Sequence, residues 1–202
     1  MDLSKIENLY NENIKIYGCD PKSVGWGTKE KQDLRFAKLL QVIDDKSLPF
    51  TINELGCGYG ELVNYCTDNG YNLQGYIGVD ISENMILAAK DYIKFSNATF
   101  DVNNKFSSRS EFVITSGVFN VYFGEDVSLW EKHIKDTLEY MFEMCIKGIS
   151  FNLLTNYVDY TEPNLYYADP IAFFDFCKRN LSKKVTLIHD YELYEWTITV
   201  KK

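Results

Sequence analysis

Histidine and proline are scarce in this chain, at 2 and 4 of 202 residues. His133 and His189 are too few imidazoles for an all-protein zinc site. The five cysteines, Cys19, Cys57, Cys66, Cys145 and Cys177, are odd in number, widely spaced and free of any C-x-x-C pair. Neither a disulfide framework nor a metal site is expected from them. Positive charge is also in short supply, with 21 Lys and Arg against 29 Asp and Glu and a formal net charge of -8. Nucleic acid binding draws most of its affinity from cations neutralising phosphates, so RNA and DNA are not expected partners. No apolar run approaches the roughly 20 residues that span a bilayer, and the first residues lack an apolar core of signal-peptide length. The expected location is therefore cytoplasmic, with no membrane partner. Repeats, low-complexity tracts and Pro/Gly-rich linkers are missing as well.

What the chain has is apolar bulk, 46% hydrophobic and 15% aromatic, enough for one well-cored domain over 1–202. Periodicity and end signals predict helices over 3–17, closed by Gly18, and over 28–43, opened by Thr28 as N-cap. These make residues 1–48 a helical cap on a core of 49–202. In the core, 50–55 reads as a strand, 61–68 as a helix, 76–80 as a strand, and Ser82 caps a helix that shares Met85, Ile86, Ala89 and Ile93 on one face. Strand-like runs follow at 98–102 and 111–115, then a long helix over 128–146 and an apolar run over 149–154. Asp169-Pro170 is an N-cap followed by proline at the first helical position, opening a helix to 180. Runs over 184–189 and 193–200 close the chain in a hairpin-like ending. Alternation of strands and helices implies a mostly parallel sheet covered on both faces, with a ligand outside the carboxyl ends of the strands.

At the first such end stands Asn53-Glu54-Leu55-Gly56-Cys57-Gly58-Tyr59-Gly60-Glu61. Its three alternate glycines allow a tight turn and a close ligand. A dinucleotide fingerprint, G-x-G-x-x-G, needs glycine at 61, where Glu61 stands. Glu54 and Glu61 flank the turn and suit a pyrophosphate poorly. S-adenosylmethionine carries a sulfonium and an ammonium, no phosphate, and a ribose that needs an acceptor. Asp80, ending the next strand, is spaced to be that acceptor; otherwise it is a helix N-terminal carboxylate.

The run E-L-G-C-G-Y-G followed by G-V-D-I-S-x-x-M resembles motifs I and II of class I S-adenosylmethionine-dependent methyltransferases. The resemblance implies a Rossmann-like α/β fold, doubly wound, with seven strands in the order 3-2-1-4-5-7-6 and the last antiparallel. It also implies Glu54 near the methionine ammonium, Gly56 and Gly58 under the cofactor, Asp80 on the ribose, Ile81 and Met85 near adenosine, and Asp101 and Val102 at the adenine. More narrowly, Val24-Gly25-Trp26-Gly27 with Arg35-Phe36, Ser116 to Val121, Asn156 to Tyr160, Tyr166 to Pro170, and His189-Asp190-Tyr191 resemble small bacterial methyltransferases of surface-polysaccharide (capsule, O-antigen) gene clusters. That implies a sugar, a nucleotide-linked sugar or a phosphoramidate as acceptor, methylated on oxygen or nitrogen.

Residue chemistry supplies further candidates. Trp26 and Gly27 can form an aromatic lid, and Arg35 can pair bidentately with the methionine carboxylate, the alternative being a core Trp and a surface Arg. Ser116 and Gly117 follow the fourth strand, near the expected methyl group, with Asn120 and Tyr122 on the acceptor side. Tyr157, Tyr166, Tyr167 and Tyr191 are amphipathic rings able to stack on an acceptor. His189, ending a late strand, is the candidate general base, against a structural alternative. His133 reads as a structural residue facing Trp130 and Thr137. A nicotinamide oxidoreductase is the competing enzyme reading, and a non-catalytic cofactor-binding protein the third. Acceptor identity and oligomeric state have no signature here.

Overall fold

The computed structural model describes residues 2–202. Helix α1 (Ser4–Tyr17) and helix α2 (Lys29–Leu39) come first, separated by a 3-10 turn at Pro21–Val24. Then follow β1 (Phe50–Leu55), α3 (Glu61–Asp68), β2 (Leu73–Asp80), α4 (Glu83–Tyr92), β3 (Ala98–Val102) and β4 (Ser110–Thr115). The second half holds α5 (Val127–Met144), β5 (Cys145–Thr155), β6 (Tyr167–Ala168), α6 (Pro170–Asn180), β7 (Lys184–Ile188) and β8 (Glu195–Lys201).

Local chemistry accounts for most of the helix starts. The side chains of Thr28, Ser82, Asp126 and Asp169 each accept a hydrogen bond from a first-turn amide of the helix they precede, satisfying donors that have no partner within the helix. The expected 28–43 helix instead stops at Leu39 and tightens into a 3-10 turn at Leu40–Val42. Strand β2 starts at Leu73, three residues earlier than its pattern shows, because pairing with β1 draws Gly75 opposite Thr51.

The sheet runs β3-β2-β1-β4-β5-β8-β7, with β6 alongside the end of β5. This is the expected order 3-2-1-4-5-7-6 once the two-residue β6 is counted. β8 lies antiparallel to both β5 and β7, and the other pairings are parallel. Alternation along the strands feeds two cores. Leu55, Val113, Phe151 and Ile198 face α5 and α6 with Trp130, Ile134, Leu138 and Phe173, while Ile52, Ile114 and Phe100 face α2, α3 and α4 with Phe36, Leu62 and Ile86.

Helix α1 crosses the carboxyl ends of the strands and joins both layers. Ile6 enters the α5 core, and Ile14 packs with Tyr59 and Met85. Asn11 Oδ1 accepts from Ser82 Oγ at 2.8 Å and from Asn84 N at 3.3 Å, tying α1 to the start of α4. Among the described residues no helix is long and apolar enough to cross a membrane, and no cluster of His, Cys, Asp and Glu could hold a metal ion.

Candidate active site

The turn after β1 is bent by its glycines. Gly56 and Gly58 have φ of +69° and +52°, a region that L side chains rarely enter. A Cβ on Gly56 would stand 2.1 Å from Val118 Cγ2, so the backbone there is bare because the neighbouring turn fills the space. Behind it, Val79 O accepts from Gly56 N and Cys57 N at 2.8 and 3.1 Å, stitching the turn to the end of β2. Asp80 completes the cradle: one carboxylate oxygen accepts from Gly58 N and the other from Ser82 N, each at 2.9 Å. An ionised carboxylate has about four lone-pair sites, so roughly two stay open. Burial raises the Asp80 pKa, while the bonds from Ser82 and Gly58 pull it back.

These groups floor a cavity of about 360 Å³. Its walls come from α1 (Leu3, Ile6, Tyr10), from Val24 and Trp26, from the turn after β4 (Ser116, Gly117, Val118, Phe119), from Asn103, Asn104 and Lys105, and from one stripe of α5. The stripe is Trp130, His133, Thr137 and Tyr140, with Asp136 beside it, a spacing that keeps side chains on one helix face. Ser116 Oγ is buried without a hydrogen-bond partner, an unusual state for a polar atom and one that a ligand atom would relieve. Burial, with Asp80 near, pushes the Tyr10 phenol up to about 12, so it stays a donor at neutral pH.

Of the residues singled out from sequence, Trp26, Gly56, Gly58, Asp80, Ile81, Met85, Ser116 and Gly117 meet at this cavity. Glu54 does not. It points into the sheet layer below the turn, where Tyr76 Oη donates to it, and burial lifts its pKa to about 8. Gly27 is exposed outside the cavity. Arg35 is buried and committed elsewhere: its guanidinium grips Glu195 with Nε and Nη2 and donates from Nη1 to Lys31 O. It is therefore not free for a methionine carboxylate, and it is not a surface Arg either. Asp101 and Val102 lie on the exposed end of β3, and the chain reaches the cavity at the next residue, Asn103, whose N donates to Asp80 O at 3.0 Å.

The acceptor-side set is scattered. Asn120 is buried and spends its Oδ1 on Leu154 N. Tyr122 packs edge-on against Tyr166 and tilts against Trp130, and Tyr166 donates to Glu131. Tyr167 Oη accepts from Glu162 N, and Tyr191 pairs its hydroxyl with Thr197. Tyr157 is exposed, with its ring 5.8 Å from that of His189, which is exposed too and away from the cavity. The histidine at the cavity is His133, which sequence reasoning set aside as structural. Its ring packs on Trp130 at 5.5 Å, and burial lowers its pKa below the usual 6.5, against the opposing pull of Asp136. The i, i+3, i+7, i+10 stripe on α5 was visible in the sequence, but nothing there said that a cavity rather than a core would face it. Tyr10 and the rest of the α1 wall were missed for the same reason.

An open sheet with one reversed strand, a glycine cradle after β1 and a carboxylate after β2 define the class I methyltransferase architecture. Solved structures that share the fold include two methyltransferases. Magnesium protoporphyrin IX methyltransferase of Synechocystis PCC 6803, with S-adenosylhomocysteine (SAH) bound, matches over all of both chains at a TM-score of 0.68 and 14% identity. The plantazolicin methyltransferase in complex with SAH matches over 98% of this chain and 97% of its own at 0.60 and 13%. At those identities the likeness is one of fold. No family model matches the chain. A provisionally named methyltransferase of Mycobacterium tuberculosis is 43% identical over 159 residues, 76% of this chain and 94% of its own. The chain belongs with it to the S-adenosylmethionine-dependent methyltransferases of class I.

Proposed function

We propose that this protein transfers a methyl group from S-adenosylmethionine to an oxygen or nitrogen of a small molecule. The observation that carries the reading is the cradle itself: bare backbone at Gly56 and Gly58, backed by an Asp80 carboxylate with free lone pairs, across from the unpartnered Ser116 Oγ. Asp80 would take the ribose hydroxyls, Ile81 and Met85 would pack on the adenosine, and Asn103 and Asn104 would face the base. When bound, S-adenosylmethionine supplies a methyl group on a sulfonium, already activated for displacement. A dinucleotide fits the same turn badly. Its pyrophosphate would meet the N-terminus of α3, where Glu61 is buried and held by Lys29 Nζ at 2.9 Å. Side-by-side calorimetry with SAH and NAD tests this; micromolar NAD binding without SAH binding would reverse it.

Within that reading His133 is the proton acceptor. It lines the cavity, and its lowered pKa keeps the imidazole neutral near pH 7. The acceptor is a sugar-type molecule of bacterial surface-polysaccharide biosynthesis, and the protein works in the cytoplasm as one domain, residues 1–48 capping 49–202. The surface-polysaccharide role rests on the motif resemblance alone. Among sugar, nucleotide-linked sugar and phosphoramidate, the cavity favours the uncharged sugar, because Lys105 is its one Lys or Arg and it also carries Asp80 and Asp136. Mass spectrometry of products formed from a free hexose panel, UDP-glucose and a phosphoramidate decides the order. Methylation of the phosphorylated compounds alone would remove the uncharged-sugar reading.

A further inference from the structure

Behind the cavity wall lies a buried polar chain whose middle members, Arg35, Glu195 and Asn152, do not touch the cavity. Arg35 Nε sits 3.0 Å from both carboxylate oxygens of Glu195, and Nη2 is 2.5 Å from Oε1. Glu195 Oε2 accepts from Asn152 Nδ2 at 2.9 Å, and Asn152 Oδ1 accepts from Gly117 N at 2.8 Å. At the other end, the Arg35 guanidinium carbon lies 3.8 Å from the centroid of the Trp26 ring. The two ends of the chain then meet. Gly117 has φ +70°, and a Cβ there would stand 2.2 Å from Trp26 Cη2. Trp26 thus occupies the space that the missing side chain leaves, and both residues line the cavity.

Stability alone gives no reason for this arrangement. Removing two charges from water costs several kcal/mol per ion, and well-packed apolar residues commonly match or exceed a buried ion pair. Glu195 is 1% exposed and Asn152 fully buried, and the residues joined come from four distant segments: α2, β8, β5 and the turn after β4. What the chain of bonds does is fix two wall elements, an indole and a glycine turn, relative to each other.

We infer that Arg35, Glu195 and Asn152 are positioning residues, which hold Trp26 against the Ser116-Gly117 turn and thereby set the affinity of the methyl-donor pocket. The inference rests on the donor site proposed above. Arg35 serves the donor from behind the wall, not as a ligand of its carboxylate.

The test is calorimetry with SAH and thermal unfolding on the full chain, comparing wild type, Trp26→Leu, the pair Arg35→Met with Glu195→Gln, and the triple variant. The pair removes both charges together and keeps an amide oxygen for Asn152, so it leaves no lone buried ion. It is expected to unfold at a temperature close to wild type yet to bind SAH about tenfold more weakly. The triple variant is expected to bind no more weakly than Trp26→Leu alone, since both changes act through the same ring. Full SAH affinity in the folded pair, or losses that multiply in the triple variant, would overturn the inference while leaving the donor site intact. Failure of wild type to bind SAH would remove the donor site and this inference with it. Should the pair not fold, Asn152→Ser gives a second cycle with Trp26→Leu, with the same coupling expected and the same multiplication overturning it.

Discussion

At the carboxyl ends of β1, β2 and β4 the chain leaves groups open: bare glycine backbone, an Asp80 with lone pairs to spare, and a Ser116 hydroxyl without a partner. At the ends of β5, β7 and β8 its polar groups are largely closed on each other. There Asn152, Tyr166, Tyr167, Tyr191 and Glu195 are all hydrogen-bonded within the protein, and Leu154 of β5 donates to Asn120 from the segment after β4. Both regions are rich in polar and aromatic side chains, so residue type does not separate them. A site is marked by unsatisfied capacity beside a cavity. At the tyrosine-rich rim Tyr166, Tyr167 and Tyr191 spend their hydroxyls inside the protein, while Tyr157 stays exposed.

The two histidines give this contrast its largest test. His133→Ala should lower turnover by about 10²- to 10⁴-fold, the usual scale for lost general acid-base catalysis, with SAH affinity kept. His189→Ala should leave both nearly unchanged. Steady-state SAH release by the two folded variants measures this, and a large loss at His189 alone would move the acceptor to the other rim. Because His133 must be neutral to accept a proton, wild-type kcat/KM should fall as pH drops below its lowered pKa, itself below 6.5.

Next in size is Gly56→Ala, which must place a Cβ against Val118 in a backbone conformation at φ +69°. A cost of about 2 to 4 kcal/mol is expected, seen as a lower denaturation midpoint. A near-neutral result would mean that the turn after β4 moves aside easily. Asp80→Ala should weaken SAH binding about ten- to a hundredfold, through lost hydrogen bonds to a charged acceptor. Since Asp80 also holds Gly58 N and Ser82 N, some stability should be lost as well.

The smallest effect on binding is expected at Glu54, and its sign is set by pH. Burial raises its folded pKa to about 8, so the folded chain keeps a proton there that the unfolded chain has already released above about 4.5. The stability it contributes is fully present at low pH and is lost as pH rises from about 4.5 through 8. Glu54→Gln should flatten that decline in urea titrations run from pH 5 to 8.5, with SAH affinity changed by less than about twofold. A large loss of affinity would return Glu54 to the cofactor.

The sequence by itself determined the order of the main elements, the family and the meeting of the glycine turn with Asp80. Glycine spacing, N-cap residues and an acidic strand end act over a few residues, and their physics is written locally. Thr28, Ser82 and Asp169 cap the helices expected of them, and Gly56, Gly58 and Asp80 meet where a strand-turn-helix unit must bring them. Only the tertiary structure decided which of two histidines faces the cavity, and that Arg35 pairs with a residue 160 positions away. It also decided that Glu54 turns down into the core while Ser116 stays open. Helical periodicity marks a face without saying whether a core or a void lies opposite, and a polar side chain carries no local sign of whether a distant segment will satisfy it.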